Sequence, residues 1–449
     1  MRATRMRRVV LVAAVLATGC PALAQPGTPV FGGERLAEFW DACRAGRADV
    51  LCIGDSNQLH RGAGWDDAVA HALSEEFGLY ATGLHPLGEN DGLGAGVGIG
   101  SSTLNTGGAG GYAYSGAPPS AAARLDSETS LLAPLNYLFM PEGSAASGST
   151  ASGLSLSPQS PLGISGPLRF HVTFALFSGT GPGSFEPALR LQSDPPVELA
   201  RLAPVTTRGT ESLARIALDL PATTRDDQIT LRLAADAQTA VVGPFVGYFA
   251  RAERLDRTRG VSVHTLYGRG GQSARDMALA LQSASDQTLV TVLTEATALQ
   301  TGERRALVRI CTGLNDRAET LDSIGPEPQG PPTSPGAYSD NLNAVLNRLQ
   351  QAWALAGFDP ANLYFVITPS HPVPGDEDAM LKLYRPVAED VARNHERAAS
   401  VDLSKLVTSD ELIKNSWYVT QGDFNHLRLD GMRQLARREL AALLEASKP

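Results

Sequence analysis

The chain has 449 residues, of which 43% are hydrophobic, 19% charged and 6% aromatic, with a formal net charge of −9. That length and mixture exclude a disulfide-held mini-domain and a disordered tail, and they allow a sizeable core in two or three domains or in one large domain carrying an insertion. Only four of the 38 basic residues are lysines and the balance is acidic, so no broad positive field is available for a polyphosphate and nucleic acid is not an expected partner.

The first 24 residues, MRATRMRRVVLVAAVLATGCPALA, join four arginines to an apolar run from Val9 to Ala17 and then to Ala22 and Ala24, small residues at the −3 and −1 positions of a cleavage site. This pattern reads as a signal peptide, so the expected destination is secreted or periplasmic. A lipid anchor on Cys20 is the competing fate, because Leu16-Ala17-Thr18-Gly19-Cys20 loosely follows an anchor motif with Ala17 where Leu is usual. The run is shorter than the roughly 20 residues a membrane span needs, and no later segment is long and uncharged enough, so no transmembrane segment is expected. Removing the signal takes the net charge from −9 to −13. Of the remaining cysteines, Cys52 and Cys311 sit in apolar runs and read as buried thiols rather than a disulfide.

The mature chain opens with a helical stretch, GERLAEFWDACRAG, followed by ADVLCIG, an apolar run that reads as a strand buried on both faces. Similar runs recur at 261–268, 305–313 and 362–369, with a weaker one at 398–406. Between the later ones lie helical patterns, ARDMALALQSA, TLVTVLTEATAL, SDNLNAVLNRLQQAWALAG and DAMLKLYRPVAEDVARNHERA; Pro386 in the last is expected to kink or divide it. A final helical pattern, LRLDGMRQLARRELAALLEA, closes the chain. Strand alternating with helix implies a parallel sheet with helices on both faces.

One interval breaks the rhythm. About 215 residues separate Ser56, after the first strand, from Gly271, after the second, where a βαβ unit needs about 30. The interval holds a helical stretch, GWDDAVAHALSEEFGLY, and then a segment at 92–116 with ten glycines, which reads as an irregular loop. A second loose stretch follows at 143–166. Beyond it, LRFHVTFALF, PALRLQS, LARIALDLP, QITLRLAA and VVGPFVGYFARAERL alternate at hairpin-like spacing, the mark of a β-sandwich or jelly roll from about 131 to 255. The expected fold is a three-layer α/β/α sandwich on a five-stranded parallel sheet, interrupted by an inserted all-β module. The expected domains are a signal peptide at 1–24, the first part of the α/β domain at 25–130, the β-module at 131–255 and the second part of the α/β domain at 256–449.

Chemistry is expected at the carboxyl edge of the parallel sheet, where open α/β sheets bind ligands. Gly54-Asp55-Ser56-Asn57 ends the first strand there. A serine hydroxyl is hardly ionised at neutral pH and becomes a nucleophile only beside a base. Asp423-Phe424-Asn425-His426 precedes the last helix, and one short turn can present both the carboxylate and the imidazole that it would orient. Taken alone, a Gly-Asp-Ser triplet is a chance match and an Asp and a His three apart are an ordinary helix-entry pair. Gly270-Gly271-Gln272-Ser273 after the second strand and Gly313-Leu314-Asn315-Asp316 after the third complete a row of four blocks along one edge.

This row resembles the SGNH, or GDSL, hydrolase superfamily, whose fold is flavodoxin-like. The resemblance covers roughly residues 30–80 and 258–446. It implies Ser56 as nucleophile, Asp423 as orienting acid and His426 as base, with an oxyanion hole of the Ser56 amide, Gly271 and Asn315; Gly270 is the rival donor to Gly271. Asn57 stands where Leu is frequent in the family. Donors fixed in advance stabilise the tetrahedral oxyanion, and loss of one typically costs about 3 kcal/mol of barrier. No metal or other cofactor is called for. Some peptidoglycan and polysaccharide O-acetyl esterases of the superfamily are similar in carrying a β-module between the first and second blocks, so the expected partner is a small ester or an acylated polysaccharide. An acyltransferase on the same triad, and a glycan-binding protein on an inactive hydrolase scaffold, are the alternatives.

Other residues carry plainer readings. Asp316 is expected to be a structural acceptor rather than a second acid. His371, after the fourth strand, reads as a solvated loop histidine, and His60 as outward-facing. Phe170, Phe174, Phe177 and Tyr248 alternate as core residues do, rather than forming a sugar-stacking platform.

Overall fold

The structure is a computed structural model that describes residues 27–59, 64–81, 83–86, 138–140, 152–156, 166–181, 184–191, 197–210, 212–223, 229–234, 245–268, 272–317, 332–375, 378–420 and 423–448. The segment read as a signal peptide, with Cys20, the glycine-rich segment at 92–116, His60, Gly270 and Gly271 lie outside these residues.

In chain order the elements begin with β1 (Val30–Phe31), α1 (Ala37–Ala45), β2 (Arg47–Gly54), α2 (Ser56–Leu59) and α3 (Trp65–Phe77). Eleven strands follow: β3 (His85–Pro86), β4 (Leu138–Met140), β5 (Ser152–Leu156), β6 (Gly166–Ser178), β7 (Ser184–Leu191), β8 (Val197–Arg201), β9 (Val205–Thr206), β10 (Arg208–Gly209), β11 (Ser212–Thr223), β12 (Ile229–Ala234) and β13 (Phe245–Arg254). The alternation then resumes with β14 (Gly260–Gly268), α4 (Ala274–Ser283), α5 (Asp286–Thr297), β15 (Ala306–Thr312), α6 (Pro335–Leu355), β16 (Leu363–Pro369), α7 (Asp378–Arg393), β17 (Ala398–Val401), α8 (Ser409–Lys414), β18 (Tyr418–Thr420), β19 (Asp423–Leu427) and α9 (Leu429–Ala446).

The central sheet runs β1-β17-β16-β15-β2-β14. Its last five members pair in parallel, in the order of a flavodoxin-like sheet. The expected five parallel strands are therefore joined by a sixth, because β1 adds antiparallel to the edge of β17. Apolar side chains leave both faces of the sheet. On one face Leu51, Ile53, Val308, Ile310, Phe365 and Ile367 pack with α4 to α7, and on the other Val50, Cys52, Leu307, Cys311, Tyr364 and Val366 pack with α1, α3 and α9. Period-two alternation between two buried faces is why these strands read as unbroken apolar runs. Cys43, Cys52 and Cys311 are free and buried.

Helix α7 is one helix with Pro386 inside it, not two. The apolar face of Leu381, Tyr384, Ala388, Val391 and Ala392 is buried along its whole length, and that packing offsets the roughly 3 kcal/mol that an internal proline costs.

Between β2 and β14 the chain forms two further sheets. One runs β10-β6-β13-β3 with β11 on β6 and β4 on β13, and the other runs β5-β12-β7-β8 with β9 on β7. On β6, Leu168, Phe170, Val172 and Phe174 are buried, as expected of core residues; the side chains of Phe177 and Tyr248 lie outside the described set. Polar residues of β6, β11 and β13 on the other face meet the α/β part. Thr173 and Arg215 donate to Glu295 of α5 at 3.0 and 2.6 Å, Arg251 donates to the Glu295 carbonyl at 2.7 Å, and Glu253 takes Arg47 at 2.8 Å and His171 at 2.9 Å. Among the described residues no helix is long and apolar enough to cross a membrane.

Candidate active site

Among the described residues, Ser56 and Asn315 lie just past the carboxyl ends of β2 and β15, and Asp423 and His426 lie on β19, which Asn57 ties to the turn after β2. Strand β2 ends at Gly54 and Ser56 opens α2 two residues later. The turn needs a glycine: a Cβ on Gly54 would stand 2.9 Å from the Gln58 Cβ and 3.3 Å from the Cys311 carbonyl oxygen. Asp55 is buried, and its Oδ1 accepts the Asn57 amide at 2.9 Å. Burial pushes its carboxyl above the ordinary value, against the Asn57 N–H and the nearby His426.

The second block leads into α4 through a capping box, in which Ser273 accepts from the Asp276 amide while the Asp276 carboxylate accepts from the Ser273 amide. The third block starts with Gly313 at φ 103°, a left-handed conformation that glycine adopts without strain. A 3-10 turn, Asn315–Arg317, follows. Asn315 Nδ2 donates to the Gln272 carbonyl at 2.9 Å, which ties the third block to the second. Asp316 is the structural acceptor expected of it: its carboxylate takes the Ala274 amide at 3.0 Å and the Thr312 hydroxyl at 3.2 Å. Burial pushes its pKa up to about 6 despite these donors. Tyr384 Oη lies 2.7 Å from the Asp316 carbonyl and braces the same turn.

Asp423 and His426 belong to one short strand, β19, paired antiparallel with β18, where the sequence suggested a turn. Ser56 and Asp423 are described here by their backbones alone, and His426 is half-buried. The Asn57 side chain donates to the Asn425 carbonyl at 2.9 Å and accepts from the Leu427 amide at 3.3 Å. One side chain next to Ser56 thus holds the residues on both sides of His426.

Three participants were not legible as such. Asn57 reads in the sequence as a family variant, yet it is the bridge. Arg317, two residues past Asn315, donates to the Asn425 side chain and joins the third block to the last; nothing in the local sequence marks it. His371 is fully buried rather than solvated. Its Nε2 lies 3.3 Å from the Phe424 carbonyl and its Nδ1 3.3 Å from Ser370 Oγ, with the ring beside that of Tyr418. The available signal was its position, directly after β16 on the edge that carries the other blocks.

No family model matches the chain, and no curated protein matches its sequence. Among solved structures, the chain is similar to a peptidoglycan O-acetylesterase with 13% identity and a TM-score of 0.50, covering 92% of this chain and 95% of that one. Two further structures are matched over shorter spans. One is a member of the lipolytic protein G-D-S-L family from Veillonella parvula DSM 2008, with 17% identity, a TM-score of 0.25, and 40% of this chain and 79% of that one covered. The other is a carbohydrate acetylesterase from Sinorhizobium meliloti, with 13% identity, a TM-score of 0.26, and 41% and 79% covered. With the peptidoglycan O-acetylesterase this chain shares its fold, and here Ser56 and Asn315 follow the carboxyl ends of two neighbouring strands of a flavodoxin-ordered sheet.

Proposed function

We propose that the protein is an exported serine esterase that removes small acyl groups, acetyl first among them, from a carbohydrate. The observation that carries this reading is the bridge at Asn57: the turn opened by Ser56 is hydrogen-bonded to residues 368 and 370 positions away from Asn57 in the chain, on either side of His426. The likeness to a peptidoglycan O-acetylesterase over 92% of the chain supports the substrate class, and it supports treating the strands between β2 and β14 as a module inserted in the hydrolase domain.

In this reading His426 takes the Ser56 proton as the hydroxyl oxygen attacks the ester carbonyl, while Asp423 orients the imidazole. The oxyanion is held by the Ser56 and Gly271 amides and by Asn315. A carboxamide has two N–H bonds, so the bond to Gln272 orients Asn315 and the second N–H serves the oxyanion. His426 then gives that proton to the sugar oxygen as its bond to the acyl carbon breaks, leaving the acyl group on Ser56, and water repeats the route to release the acid.

Hydrolysis of p-nitrophenyl acetate and deacetylation of O-acetylated peptidoglycan and acetylated xylan test the proposal. Wild-type protein is expected to release acetate and to take a fluorophosphonate label on Ser56, and Ser56→Ala to do neither. Equal turnover by Ser56→Ala overturns the reading.

A further inference from the structure

The esterase reading rests on a nucleophile and a base that come from opposite ends of the chain, so something must fix one relative to the other. We infer that Asn57 is a positioning residue that sets the backbone angles of His426 against the turn carrying Ser56; the inference rests on the esterase reading.

The geometry is specific. The carbonyl of Asn425 lies in the peptide plane before the His426 Cα, and the amide of Leu427 lies in the plane after it. Peptide planes are rigid, so anchoring one group in each narrows the φ and ψ that His426 can adopt. The two groups point from the same edge of β19, where a neighbouring strand would offer one donor and one acceptor. The Asn57 carboxamide supplies both from a single rigid plane, donating at 2.9 Å and accepting at 3.3 Å. Its own orientation is held from behind, since Asp55 Oδ1 accepts the Asn57 backbone amide at 2.9 Å and its Nδ2 at 3.4 Å. Asn57 is 1% exposed, so water does not stand in for either bond.

The residue type follows from that double duty. Leucine has the size and neither bond. Aspartate keeps the acceptor for Leu427 but turns a negative oxygen toward the Asn425 carbonyl. A misplacement of about 1 Å in such a constellation can cost on the order of 100-fold in rate.

Asn57→Leu and Asn57→Asp test the inference, with kcat and KM for p-nitrophenyl acetate, the rate of fluorophosphonate labelling at Ser56, and thermal unfolding measured on each. The expected result is a fall of about 10- to 100-fold in kcat and in labelling rate, with KM within about threefold of wild type, at temperatures where both variants are folded. Asn57→Asp is near-isosteric and keeps the test open if Asn57→Leu does not fold. A folded variant with wild-type kcat overturns the inference and leaves the esterase reading standing. So does a loss of activity that only follows the loss of folded protein. Wild-type protein inert to both reagents overturns the esterase reading and the inference with it.

Discussion

Arg309 and Glu439 form a two-pronged ion pair inside the core, with Nε to Oε1 at 3.0 Å and Nη2 to Oε2 at 2.8 Å. Arg309 stands in the middle of β15, and Glu439 comes from α9, the helix that follows the strand bearing His426. The Thr368 hydroxyl adds a bond to Glu439 Oε1 at 2.8 Å, and the guanidinium lies 4.6 Å from the Trp65 ring centroid. The pair thereby fastens the last helix to the central strands and, with it, the approach to β19.

Removing one partner of such a pair leaves a buried charge uncompensated, which typically costs about 3–5 kcal/mol, whereas replacing both by apolar residues is often neutral. Glu439→Ala is therefore expected to unfold at a clearly lower temperature than wild type, and Arg309→Met combined with Glu439→Leu to recover most of the loss. Calorimetry on the three proteins checks it; a double variant as unstable as the single one would show that the pairing is not the cause.

Glu253 links the β-strands to the α/β part, and its titration reports that contact. Burial alone would raise its carboxyl, but the bonds from His171 and Arg47 outweigh this and bring the pKa to about 2 from an ordinary 4.5. A folded-state pKa below the unfolded one gives stability that is present above about pH 4.5 and is lost as the pH falls toward 2. Glu253→Gln should thus be less stable than wild type at pH 7, with the gap closing between pH 4.5 and 2. A gap that stays constant through that window would contradict the ion-paired carboxylate.

Most of the sheet was legible because β2, β15 and β16 are buried on both faces and cannot avoid reading as apolar runs. The blocks at their ends were legible because glycine and small polar residues stand out against those runs. What escaped is long-range. Strand β1 has two residues and exists only because β17 offers an edge, so no periodicity announces it. Arg309 looks like an interruption of an apolar strand until Glu439 is placed over it. The contacts of Asn57 and Arg317 reach β19 across more than a hundred residues, and a residue type alone does not say where its side chain will go.

Asp316 titrates in the opposite sense to Glu253. Burial lifts its pKa to about 6 from an ordinary 3.8, above the pull of the Ala274, Thr333 and Thr312 donors. The native state then binds more protons than the unfolded chain between about pH 4 and 6, so this group's contribution is fully present below pH 4 and is lost as the pH rises through 6. Asp316→Asn removes the titration. Whatever fixed cost it carries from altered bonds, the variant should gain on wild type as the pH is raised from 4 to 7, and unfolding curves at four or five pH values are enough to see it. A difference independent of pH would mean that the carboxyl is already ionised at pH 4.

The last expectation concerns His371, which sits under the strand that presents His426. A carbonyl only accepts, so the ring atom facing Phe424 carries the proton, and the Ser370 hydroxyl is then the donor to Nδ1 in the neutral ring. The Tyr418 ring beside it is itself held, through its hydroxyl, to the Pro372 carbonyl at 3.0 Å. His371→Ala would leave the Phe424 carbonyl without this donor and open a void beneath β19, so kcat on a model ester should fall about tenfold with KM little changed. His371→Gln can place an amide N–H near the same carbonyl and should keep most of the activity. If the alanine variant is as active as the glutamine one while equally folded, the hydrogen bond to Phe424 does not contribute to holding His426 in place.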